Sequence, residues 1–142
     1  MTKLSKKIEG YSNQFKTIKR GEDNIVVFDN ESSELHEAVY KAHGDRVPND
    51  FIFSKFWEIL QSLEGYEIHS IDDVEEYRGE IVGSCTDVYT SNLTEWLNSS
   101  VYNTDYLDEA VKEFGATDNI LGTAQYMAID EIYSEVVGLL TA

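Results

Sequence analysis

The chain has 142 residues, a single cysteine, Cys85, and 27 acidic groups against 11 basic ones. That length suits one domain with a real core. One cysteine excludes an intramolecular disulfide and fits a reducing cytosol, and no apolar run approaches the roughly 20 residues that span a bilayer. The charge is split along the chain. Residues 1–20 carry Lys3, Lys6, Lys7, Lys16, Lys19 and Arg20 against Glu9, a net of +5, whereas residues 21–142 carry 26 acids and five bases, a net of −21. No apolar stretch follows the basic start, so it does not read as a secretory signal. The expectation is a soluble, intracellular protein. An excess of acid would also suit a halophilic proteome.

Residues 2–20 place Ile8, Tyr11, Phe15 and Ile18 three or four apart, which predicts an amphipathic helix with lysines on its wet face. It reads either as a docked helix or as a basic arm for a partner, with residues 21–142 forming the acidic domain that stays folded without it. Ile25-Val26-Val27-Phe28 is the best strand candidate; it has no clear partner, so it is expected to be an extended segment or to pair across a dimer. A helix is predicted over 32–43, capped by Asn30 or Ser32, with Leu35, Val39 and Ala42 inward and Gly44 as its stop. Asn49 caps the next, whose inner face is Phe53, Phe56, Trp57, Leu60 and Leu63, ending at Gly65. Ser70 caps a third carrying Ile71, Val74, Ile81, Cys85 and Val88. Asn92 with Glu95 resembles a capping box before Trp96. Asn103 opens a short helix with Tyr106, Leu107, Ala110, Val111 and Phe114, stopped by Gly115. Asp118 or Asn119 opens the last, with Ile120, Leu121, Ala124, Met127, Ala128, Ile132, Val136 and Leu139 inward. The fold class expected is mainly α, a single-domain bundle of about five or six helices with at most a small β element.

Few residues point to a reaction. His36 and His43 fall on one helix face and Asp45 follows, a set that could ligate a metal if it converged. The simpler reading puts His43 at a helix C-terminus, where a cationic ring suits the dipole. Cys85 lies on an apolar helix face, where a thiol is an inert small hydrophobe. No nucleophile elbow, phosphate loop or zinc-spaced cysteine set is present. The expectation is therefore no catalytic residue, no cofactor and no metal.

The carboxylates are more informative. Asp72, Asp73, Glu75, Glu76 and Glu80 form one ridge, Asp105, Asp108, Glu109 and Glu113 a second, and Asp130, Glu131 and Glu135 a third. Such rows are either solvated surface or imitations of duplex phosphates, whose charges recur every few ångström. Abundant tyrosines suit a protein interface.

Two stretches, Ala42-His43-Gly44-Asp45-Arg46-Val47-Pro48-Asn49-Asp50-Phe51 and Asp87-Val88-Tyr89-Thr90-Ser91-Asn92-Leu93-Thr94-Glu95-Trp96-Leu97, resemble a group of small proteins encoded by bacteriophages and prophages. Tyr106-Leu107-Asp108-Glu109-Ala110 and the helix around Gln125 fit the same group. The similarity covers roughly residues 35–140 and carries over no functional residue. It implies a setting in which small accessory proteins disarm host defences.

The leading expectation is thus a non-enzymatic inhibitor of a bacterial defence complex, of anti-CRISPR or anti-restriction type, acting in the host cytoplasm. Its acidic ridges, Asp72 to Glu80 and Asp105 to Glu113, would occupy a basic nucleic-acid groove. Lys16, Lys19 and Arg20 would add a contact to guide RNA or an acidic patch. The acidic body would not bind DNA directly and no membrane is involved. A small metal enzyme on His36, His43 and Asp45, and a self-associating phage protein, a homodimer among its forms, are the alternatives.

Overall fold

A computed structural model describes residues 2–30, 33–43, 49–86, 111–113, 115 and 120–141. In chain order these form α1 (Lys3–Ser12), β1 (Phe15–Arg20), β2 (Asp23–Phe28), α2 (Glu34–His43), α3 (Asn49–Glu64), α4 (Ile71–Glu76), α5 (Arg78–Cys85) and a long final helix, α6 (Ile120–Thr141). The architecture is mainly α with one two-stranded antiparallel sheet.

The first departure from the sequence reading lies at residue 13. The helix predicted over 2–20 ends at Ser12, and Phe15 starts a strand. Phe15 and Ile18 fit helical spacing with Ile8 and Tyr11, but Phe15, Thr17 and Ile18 are also aromatic and β-branched residues that suit a strand, on which Phe15 is buried and Ile18, on the other face, is exposed. Pairing decides between them, because β1 supplies the partner that Ile25–Phe28 lacked. Phe15 lies opposite Phe28 and Ile18 opposite Ile25. The expectations of an unpaired segment or a strand shared across a dimer give way to this hairpin within one chain. Its loop is Gly21–Glu22. Gly21 has φ +67 and, among the described residues, no non-glycine residue has positive φ, the pattern of a type II′ turn. A boundary drawn after residue 20 therefore falls in the hairpin turn.

Residues 1–20 also build the core. Ile8 is 1% exposed, and Phe15 is buried. Thr2 caps α1 by accepting from the Ser5 N–H, and the Thr2 and Ser5 hydroxyls donate to the Ile68 carbonyl at 2.6 and 3.1 Å. Fully burying one Ile contributes roughly 1.5–3 kcal/mol, so the expectation that residues 21–142 fold alone runs against this packing.

The centre of the molecule is α3, which touches α1, β2, α5 and α6. Phe53, Phe56, Ile59, Leu60 and Leu63 are its buried face, while Trp57 is only partly buried. At the hairpin end, Phe28 packs on Phe15 at 4.5 Å and edge-on to Phe53 at 4.8 Å between ring centroids. Ser33 begins α2, its Oγ accepting from the His36 N–H at 3.0 Å. That is one residue after the expected cap at Ser32, and Gly44 lies outside the described residues.

The third predicted helix is two. Ser70 caps α4 as expected, but the helix breaks at Tyr77. The Val74 carbonyl accepts the buried Tyr133 hydroxyl of α6. Diverting a ladder carbonyl to a side chain is a recognised cause of a kink. Val88 and the helix expected from Asn92 lie outside the described residues, and so does most of the Asn103 helix; residues 111–113 are helical. Gly115 ends that turn with φ +80 and its N–H on the Val111 carbonyl at 2.8 Å, the left-handed stop expected of it. On α6, Ala128, Ile132 and Val136 are buried as predicted, Met127 and Leu139 partly, and Gln125, Ile129, Tyr133 and Leu140 are also buried. The side chains of Ile120, Leu121 and Ala124 lie outside the described residues. Among the described residues, no helix is long and apolar enough to cross a membrane.

Candidate partner-binding surface

The acidic ridge of α4 and α5 divides into structural and outward carboxylates. Asp73 is structural: its Oδ2 accepts the His69 and Ser70 N–H groups at 2.8 and 3.2 Å, and its own N–H donates to Ser70 Oγ. This capping box satisfies donors that a helix start leaves unpaired. Glu75 is structural too. Arg78 donates to both its oxygens, from Nε at 2.9 Å and Nη2 at 3.1 Å. Arg78 Nη1 reaches across to α6, donating to Asp130 Oδ1 and Ser134 Oγ, both at 3.0 Å. The guanidinium lies 4.9 Å from the centroid of the Tyr133 ring, within cation–π range. Its hydrogen bond to Glu75 leads the causes that raise the Arg78 pKa further, and its bond to Glu75 holds that carboxyl below its ordinary value.

Asp72, Glu76 and Glu80 remain exposed. Asp72 and Glu76, four apart, share one face of α4 at about 6 Å per step, and Glu80 follows in the first turn of α5, beyond the break at Tyr77. Like charges at this spacing destabilise a helix by about 0.2–0.5 kcal/mol per pair, while Asp72 and Glu80, in the first turns of α4 and α5, favour the helix dipoles; Glu76, in the last turn of α4, has no such local benefit. Beside it, the rings of Tyr66 and Tyr77 stack with centroids 4.2 Å apart. Partial burial, then the neighbouring Glu80, hold the Tyr66 hydroxyl above its ordinary pKa.

Among the described residues, no ion pair reaches Asp72, Glu76 or Glu80. Lys55, 5% exposed, donates to the Cys85 carbonyl at 2.8 Å and pairs with Glu58 at 3.0 Å. Lys7 donates to the Leu140 carbonyl at 3.4 Å. Each thus meets the C-terminal end of a helix, α5 or α6, where positive charge is favoured. With Arg78 they act as internal struts.

The remaining predicted site residues are scattered. Glu113 is exposed within residues 111–113; Asp105, Asp108 and Glu109 lie outside the described residues. Of the third ridge, Asp130 is tied to Arg78, Glu131 is exposed and Glu135 is partly buried. Lys16 and Lys19 are exposed on β1. Lys16 sits 3.4 Å from Asp29. Arg20 lies on β1 opposite Asp23, its side chain outside the described residues. Between Phe15 and Asp29 the three cations are matched by Glu22, Asp23 and Asp29, so the hairpin is locally neutral, not a continuous basic arm. His36 is half-buried against Phe28 at 4.9 Å and stacks toward Tyr40; the side chains of His43 and Asp45 lie outside the described residues. Among the described residues, no three of His, Cys, Asp and Glu gather as a metal would require. Burial pushes the Cys85 thiol up.

Sequence reasoning missed Arg78, Lys55 and Tyr133. Arg78 had a signal: it is the one base between Lys55 and Lys112 and follows Glu75 by three, an ion-pair spacing. Lys55 had the same local signal in Glu58, three residues on, but not its bond to the Cys85 carbonyl, and Tyr133 had none, since its partner is distant in sequence.

Compared with protein-family models, curated proteins and solved structures, the chain finds no match.

Proposed function

We propose that the chain is a non-enzymatic inhibitor that docks on a basic, nucleic-acid-holding groove of a bacterial defence complex, of CRISPR-effector or restriction type, in the host cytoplasm. The observation that carries this reading is the exposed row Asp72, Glu76 and Glu80. It is presented on helices that a capping box and the Arg78 fork hold in place. Pre-organised charge binds better than charge on mobile chains, because less ordering is lost on binding. Residues 21–142, at −21, add a field that steers association with a basic surface. The sequence resemblance to phage accessory proteins supplies the setting. Lys3 and Lys6, exposed on α1, suit a contact with nucleic acid bordering such a groove.

The test is capture from bacterial lysate, comparing wild type with the Asp72→Lys, Glu76→Lys, Glu80→Lys variant. A captured nucleic-acid-binding complex that duplex DNA or RNA elutes, and that the folded variant fails to capture, is the expected result. A complex retained equally by the variant would overturn the assignment of this row.

A further inference from the structure

Beyond bulk charge, the row is flanked by an aromatic pair that mimicry of phosphates does not need. Tyr77 lies next to Glu76 and three residues before Glu80, and its ring stacks on Tyr66 at 4.2 Å. The Tyr66 hydroxyl in turn is hydrogen-bonded to the Glu80 carboxylate. Two half-buried tyrosine rings thus lie beside the exposed Glu80 carboxylate, with the exposed Glu76 adjoining Tyr77 in the chain. An ammonium group gains from the carboxylates alone. A guanidinium gains twice, because its plane stacks on aromatic faces and its fork matches a carboxylate.

The chain already holds one guanidinium this way. Arg78 is gripped by both Glu75 oxygens and lies over the Tyr133 ring. Tyr66, Tyr77, Glu76 and Glu80 repeat those ingredients on the outside, where no cation of the described residues is paired with either carboxylate. We propose that the Tyr66–Tyr77 stack with Glu76 and Glu80 receives an arginine side chain of the partner, so that the complementary groove is read by arginine rather than by lysine. This rests on the proposed function and deepens it by naming the recognising group.

The experiment titrates the full chain with two probes of equal length and charge, a short oligo-arginine and a short oligo-lysine peptide. Wild type should bind the arginine peptide about fivefold to tenfold more tightly, the scale of one cation–π contact of about 1 kcal/mol. Tyr66→Leu with Tyr77→Leu should erase that preference while leaving the lysine peptide's affinity within about twofold. Circular dichroism confirms that the variant is folded, and single Tyr77→Leu serves if the double variant is not. Equal binding of both peptides to wild type overturns the arginine site but leaves charge mimicry standing. A preference that survives in the leucine variants also overturns it. Binding of neither peptide overturns both readings.

Discussion

Replacing Arg78 with alanine tests how the acidic row is held. The side chain is 24% exposed, and its partners Glu75 and Asp130 are 45% and 44% exposed. Both carboxylates regain water when the arginine is removed, so each ion pair is worth only about 0.5 kcal/mol. The contact over Tyr133 adds about 0.5–1 kcal/mol, and the apolar stem a similar amount. Arg78→Ala should therefore cost about 2 kcal/mol. For a chain of this length that lowers Tm by about 6–8 °C. Arg78→Lys keeps the charge but not the fork, and should cost about 1 kcal/mol.

The pH dependence gives a second signature. The folded pKa of Glu75 is depressed below its ordinary 4.5. The stability it contributes is present above that value and lost as pH falls through the depressed pKa. The Tm gap between wild type and Arg78→Ala should thus narrow below about pH 4. Thermal unfolding by circular dichroism at neutral and acid pH measures both. A variant within about 0.5 kcal/mol of wild type at neutral pH would refute the clamp.

Other expectations follow from the core. Ile8→Ala should cost about 2–5 kcal/mol, and deleting residues 1–20 should abolish cooperative melting, since it removes Ile8, Phe15 and the strand paired with β2; a sharp, near-wild-type melt would contradict this. Lys55→Ala should cost about 3 kcal/mol and Lys55→Met about half that, read by urea unfolding; a Lys55→Met variant as stable as wild type would mean that only the stem matters. The Cys85 thiol should resist a disulfide reagent in the native state and react at the rate of global unfolding. Burial raises the folded pKa of both Cys85 and Tyr133, from 9.0 and 10.0. Stability should therefore be complete below those ordinary values and fall as pH rises beyond about 9–10, where the unfolded chain gives up protons first. A flat alkaline profile would contradict it.

The helical face of α3, the Ser70 cap, the Gly115 stop and the Ile25–Phe28 strand were legible because each rests on local chemistry. The hairpin was half legible. Its turn, Gly21-Glu22 between two β-branched runs, is a local signal, but the helical spacing of Ile8, Tyr11, Phe15 and Ile18 competed with it. Only pairing with Phe28 resolves that contest. The break at Tyr77 was hidden because its cause, Tyr133, lies 59 residues from Val74. For the surface, sequence grouped five carboxylates from Asp72 to Glu80. It could not separate Asp73 and Glu75, which hold the fold, from the three that face outward, because that division depends on caps and on Arg78.

The measurement that bears most directly on the central claim is the salt dependence of binding to the purified captured complex, with and without reversal of Asp72, Glu76 and Glu80. If the row takes the place of phosphates, affinity should fall steadily between about 50 and 500 mM salt. Nucleic acid should compete, and the reversed variant should bind at least tenfold more weakly, about 1.4 kcal/mol. An affinity unchanged across that salt range, or equal in the reversed variant, would contradict it.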